Sequence, residues 1–124
     1  AQLESTHPYA QFLAMDALAE TEQSEALVAI LGNDTVHEEL RVHAAWALGE
    51  QRAADSLIPF AGLDNARIRQ QVMTSLGQCQ GDETSRVLVQ TIRRDGQADV
   101  VASALSSLGS VDPDQALKMA RLLP

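Results

Sequence analysis

Residues 35–49, TVHEELRVHAAWALG, constrain this chain more than any other stretch, because the same pattern returns before and after it at nearly constant spacing. Thr35 is placed as an N-cap, and Glu38 three residues later can reach back to the cap amide, the reciprocal arrangement of a capping box. Leu40, Ala44, Ala47 and Leu48 then recur at helical spacing. Gly49 is placed to supply the left-handed residue that ends many helices. Ala44, Ala45 and Ala47 leave so little side chain on one face that a neighbouring helix can approach closely.

The other copies follow by alignment. The stretch 14–20, AMDALAE, matches 44–50, AAWALGE, at an offset of 30; 68–77 and 100–109 continue the template at offsets of 28 and 32. Between these lie shorter apolar segments bounded by turn residues, at 22–31, 53–61, 82–92 and 112–123. In the last, Asp112 is a candidate cap, Pro113 fits the first helical position and Gln115 would complete a second capping box. A loose segment 1–6 precedes a first helix 7–20 that opens on Pro8, followed by helical hairpins 21–49, 50–77 and 78–109 and a terminal helix 110–124. One hairpin cannot bury its apolar face alone, so the chain reads as one all-α domain, an α-solenoid of stacked antiparallel helical hairpins in about four copies.

Composition agrees with that class. Hydrophobic residues make up 45% of the 124 but aromatics only 3%, which suits an aliphatic, alanine-rich helical core and not a β-sandwich. Nine basic against 17 acidic residues give a net charge of −8, which disfavours nucleic acid and anionic lipid as partners. The single cysteine, Cys79, rules out an internal disulfide and is expected as inert packing near a helix end. No apolar run reaches membrane-spanning length. Ala1 is compatible with a mature N-terminus, so export stays open, with the cytoplasm favoured; the sequence does not speak to oligomeric state.

The run Leu40-Arg41, Ala44-Ala45-Trp46-Ala47-Leu48-Gly49, then Leu57-Ile58-Pro59-Phe60, then Asp64 and Ile68-Arg69, resembles HEAT repeats of the short kind first described in phycobilisome lyases. The resemblance covers the chain from about Pro8 to Leu123. It implies a right-handed superhelix whose second helices line the concave surface. It also implies a structural role for Arg41 and Arg69, tying turns together through Asp34 and Asp64. The first and last copies carry Gln11 and Val101 at the arginine position, so such a ladder is confined to the middle.

With the shared positions assigned to packing, the opposite stripe of each second helix faces outward at spacings of four, three and four. It reads Tyr9, Leu13, Asp16 and Glu20 in the first copy; Glu39, His43, Trp46 and Glu50 in the second; Arg67, Gln71, Thr74 and Gln78 in the third. Trp46 is the only tryptophan. A ring at an exposed position, beside His43 and near carboxylates, points to a protein or peptide partner of basic character held on the concave face, through cation–π contact and burial. A packed Trp46, folded across the groove onto an adjacent repeat, is the competing expectation.

Enzymatic readings find less support in the residues. His37, Glu38 and His43 resemble the His-Glu pairs by which the HEAT-like deoxyhypusine hydroxylases hold iron, but the other copies place Leu13, Gln71 and Ser103 opposite His43, so no coordination shell closes. HEAT-like DNA glycosylases are basic, and this groove is acidic. No catalytic residue, metal ligand set or cofactor site is assigned. The sequence thus predicts a non-enzymatic scaffold; the alternative is a subunit or segment of a larger HEAT-repeat enzyme, bilin-lyase-like or metal-dependent.

Overall fold

The computed structural model describes residues 24–122, whose regular elements are all helical, with no strand among them. In chain order they form α1 (Ser24–Leu31), α2 (Glu38–Glu50), α3 (Ala54–Leu57) running into a 3₁₀ turn (Ile58–Phe60), α4 (Ala66–Leu76), α5 (Asp82–Arg94), α6 (Ala98–Val111) and α7 (Pro113–Leu122). Tyr9, Leu13 and Asp16 lie outside the described residues.

The second helices stack on one another, α2 on α4 and α4 on α6, while α1 packs on α2 and both α5 and α7 on α6. That is the solenoid arrangement, in which each hairpin completes its core on its neighbour. Leu27, Leu31, Leu48, Leu57, Ile68, Leu76, Leu88 and Leu108 are wholly buried between the layers. Ala44, Ala45 and Ala47 are buried as well. The short α3 has a local cause: Pro59 sits at the start of the 3₁₀ turn, where its missing N–H and fixed φ stop the α-helical ladder.

Close stacking explains a residue the sequence had assigned otherwise. Gly49 does not end α2; it lies inside the helix and is buried, and the left-handed residue beyond the helix is Arg52, at φ 55°. A Cβ on Gly49 would stand 2.7 Å from Ser75 Cβ and 3.0 Å from Ser75 Cα, so glycine is required for the approach of α4. Gly77 repeats the device one step on, with Ser107 Oγ at 2.7 Å from a Cβ placed there. The two serines use the closeness: Ser75 Oγ donates to the Ala45 carbonyl at 2.8 Å and Ser107 Oγ to the Met73 carbonyl at 2.7 Å.

Of the two expected capping boxes, the first is replaced and the second keeps one of its halves. Thr35 stands in the turn, donating its N–H and hydroxyl to Asn33 Oδ1. The cap of α2 is His37, whose Nδ1 accepts from the Glu39 N–H at 3.2 Å. At α7, Asp112 Oδ1 does accept from the Gln115 N–H, at 3.3 Å. The reciprocal half is missing because the Asp112 N–H is spent on the Leu108 carbonyl at 2.7 Å, which closes α6.

The arginine ladder exists with different rungs. Arg41, buried at 9% exposure, donates from Nε to the Leu31 carbonyl at 2.9 Å and so ties α2 to the end of α1. Arg69 donates from Nη1 to the carbonyls of Leu63 and Asp64, at 2.8 and 3.0 Å, and forks onto the Asp95 carboxylate from Nε and Nη2 at 2.8 and 3.1 Å. Asp64 therefore contributes its carbonyl and not its side chain, and Asp34 is exposed in its turn without a bond to either arginine. The carboxylate that matters, Asp95, belongs to the following repeat. A bidentate guanidinium–carboxylate pair reads planar geometry that a nearer but misaligned aspartate cannot offer.

Candidate interaction surface on the second helices

Four residues of α2 predicted to face outward do so to different extents. Trp46 is 38% exposed, Glu50 is exposed, and Glu39 and His43 are half-buried. The helical repeat explains the grouping: Glu39, His43, Trp46 and Glu50 are spaced one turn apart on the side opposite Ala44, Ala45 and Leu48. The ring of Trp46 stacks on His43 with centroids 5.0 Å apart and planes inclined by 29°. This is an intrahelical contact between positions three apart, and it leaves the ring 38% exposed.

Beside the stacked pair lies a cavity of about 300 Å³, lined by Glu39, Val42, His43 and Trp46 from α2 and by Gln71 from α4. Val42 is a wall that the outward stripe did not include; it packs against the core and is only partly covered. Gln71 is held in place by donating from Nε2 to Ser75 Oγ at 3.1 Å, the same serine that packs on Gly49. Thr74, one turn further, is exposed, but its hydroxyl donates to the Gln70 carbonyl at 3.0 Å.

Charge in the groove is less acidic than the list of residues suggested. Arg67 of α4 reaches across the repeat boundary and forms a two-pronged ion pair with Glu39, with Nη2 to Oε2 at 2.9 Å. Its Nη1 also lies 3.6 Å from Glu38 Oε2. The other oxygen of Glu38 accepts from Asn65 Nδ2 at 2.7 Å, and Asn65 in turn caps α4 by accepting from the Ile68 N–H at 3.1 Å. Glu38, expected as half of a capping box, therefore links two repeats. Glu50 enters no ion pair among the described residues and is the carboxylate left facing solvent near the ring.

His37 is exposed and engaged as the α2 cap, and no group of three His, Cys, Asp or Glu side chains among the described residues is arranged to hold a metal ion. Cys79 is 1% exposed in the core, with its thiol pushed above the usual range by burial, an effect that nearby Arg52 partly offsets. A thiol so placed is a packing group and not a nucleophile. No described helix is long and apolar enough to cross a membrane.

No curated protein matches the chain. The family model for HEAT repeats matches residues 24–109, the span from α1 to near the end of α6, and does so for HEAT repeats at large, without singling out the phycobilisome-lyase kind. With stacked helical hairpins, inter-repeat arginine contacts and a match over more than half its length, the chain belongs to the HEAT-repeat family.

Proposed function

We propose that this protein is a non-enzymatic interaction scaffold that holds an extended peptide segment of a partner protein along the exposed, concave face of α2 and α4. HEAT repeats commonly serve as protein-interaction scaffolds, and the observation that carries the reading to this face is Trp46. It is a large aromatic side chain that the fold leaves 38% exposed, braced by His43 and standing beside an open cavity. Such a ring gains contact area on binding with little loss of side-chain freedom, which is how aromatic anchors come to dominate interfaces.

The partner's anchor residue enters the cavity between Trp46, Val42 and Gln71. The basic character of the partner is exerted at Glu50 and over the Trp46 face, since Arg67 already neutralises Glu39.

Trp46→Ala tests this. Partners captured from the native extract by the wild-type protein are identified, and the affinity of a purified partner is then measured for both proteins. The variant is expected to keep its helical circular dichroism and lose tenfold or more in affinity, about 1.4 kcal/mol or above. A folded Trp46→Ala protein with undiminished affinity would refute the reading.

A further inference from the structure

Helix α5 carries a second surface of opposite charge. Arg86, Gln90, Arg93 and Arg94 follow one another at helical intervals along one side of it, and all four are exposed. A cavity of about 470 Å³ opens between this side and the start of α7, lined by Arg86, Arg93 and Arg94 together with Ser85 and Gln115. On the other flank a cavity of about 450 Å³ reaches back to the turn at Gly62 and Leu63. Gln90 and Arg94 wall both, so the two hollows adjoin across the helix.

The three guanidinium groups are unused within the fold. Three other arginines are engaged within the fold: Arg67 takes Glu39, Arg69 takes Asp95, and buried Arg41 takes the Leu31 carbonyl. Arg86, Arg93 and Arg94 make no ion pair or hydrogen bond among the described residues. In the hollow beside α7 the three guanidinium groups outnumber the two carboxylates, Asp82 and Asp112. In the other hollow Asp95 is committed to Arg69, which leaves Asp64 as its remaining carboxylate. Arg93 and Arg94 also complement the C-terminal end of the α5 dipole, but that role explains neither Arg86 nor the hollows on either side.

We propose that this groove docks an acidic, extended segment of a protein partner. Its carboxylates would be held in forked contacts by Arg86, Arg93 and Arg94, and its backbone by the amides of Gln90 and Gln115. Planar guanidinium groups bind carboxylates bidentately, and three of them along about two helical turns match side chains spaced along an extended strand. The overall charge of −8 opposes a polyanion as long as a nucleic acid, which favours a short acidic peptide as the occupant.

The test uses the whole chain and a fluorescein-labelled oligo-glutamate peptide, followed by anisotropy at low ionic strength. Binding is expected, weakening as salt is raised because the contacts are exposed. The double variant Arg93→Glu/Arg94→Glu should lose at least tenfold in affinity with its circular dichroism unchanged, whereas Trp46→Ala should bind the peptide as the wild type does. Should the double variant fail to fold, Arg86→Gln and Arg94→Gln are measured singly, each expected to lose several-fold. The proposal is overturned if the wild type does not bind the peptide, if the folded variants bind it equally well, or if a labelled single-stranded oligonucleotide of similar charge binds more tightly than the peptide.

Discussion

Gly49 and Gly109 occupy the same place in their repeats, yet replacing each by alanine should move stability in opposite directions. At Gly49 the added methyl would lie 2.7 Å from Ser75 Cβ, 2.8 Å from its Oγ and 3.0 Å from its Cα. Rotating Ser75 cannot clear a clash with Cβ and Cα, so α2 and α4 must separate. Overpacking of this kind costs about 1–3 kcal/mol, and displacing Ser75 also strains its buried hydrogen bond to the Ala45 carbonyl. Against this, alanine in a helix gains about 0.8–1 kcal/mol over glycine, so with about 1 kcal/mol for the strained hydrogen bond the net loss is about 1–3 kcal/mol. At Gly109 a Cβ meets nothing within 4 Å, and α6 is helical there with ordinary φ. Only the helix term remains, a gain of about 0.5–1 kcal/mol.

Urea denaturation followed by circular dichroism measures both variants, with thermal midpoints shifting by about 3–6 °C per kcal/mol at this size. A third protein, Gly49→Ala with Ser75→Gly, separates clash from propensity. Ser75→Gly alone weakens α4, but combined with Gly49→Ala it removes the obstructing Cβ, so the double variant should be more stable than the sum of the single changes predicts. A Gly49→Ala protein as stable as the wild type, or additive behaviour in the double variant, would refute the claim that glycine is there for helix approach.

The other expectations concern charge, sulfur and the ring. Asp95→Asn removes a forked ion pair whose side chains are only 15% and 9% exposed, and should cost about 2 kcal/mol at neutral pH by urea midpoint. The hydrogen bond from Arg69 holds the Asp95 carboxyl below the ordinary carboxylate range. A depressed folded value means the stabilisation is fully present above the unfolded value of about 3.9 and is lost as pH falls through the folded one, so the gap between wild type and Asp95→Asn should narrow in acid. Cys79, buried and with its thiol raised, should react with a thiol reagent only as fast as the protein opens, and rapidly once urea unfolds it. Trp46 fluorescence, from a ring 38% exposed, should be quenched by acrylamide in the free protein and protected when a peptide occupies the groove.

Periodicity made the layers legible, because a repeat that must bury one face on its neighbour constrains Leu40, Ala44, Ala47 and Leu48 and their equivalents regardless of turn detail. Turn chemistry was not legible for a reason visible at residues 33–37. Asn33, Asp34, Thr35 and His37 can all accept a backbone N–H; once Asn33 captures Thr35, His37 is left to cap, and spacing alone cannot choose among them. Gly49 was misread because a helix stop and a close helix contact select the same residue, and only the position of Ser75, 26 residues away, distinguishes them. Asp95 was missed because the distance from an arginine to its carboxylate is set by how repeats stack and not by either turn.

The same principle decides what the exposed stripe can do. Taken one helix at a time, the α2 stripe is acidic and the α4 stripe mixed; stacked, Arg67 falls on Glu39 and the two charges annul. The charge offered to a partner therefore depends on pairs formed across repeat boundaries, and it moves from Glu39 to Glu50 on one face and to the unpaired arginines of α5 on the other. Arg67→Ala would restore the acidity of Glu39 without touching the Trp46 ring. If a basic partner uses this groove, that variant should bind it more tightly than the wild type, and no gain in affinity would mean that the ring and the cavity, and not the carboxylates, set the specificity.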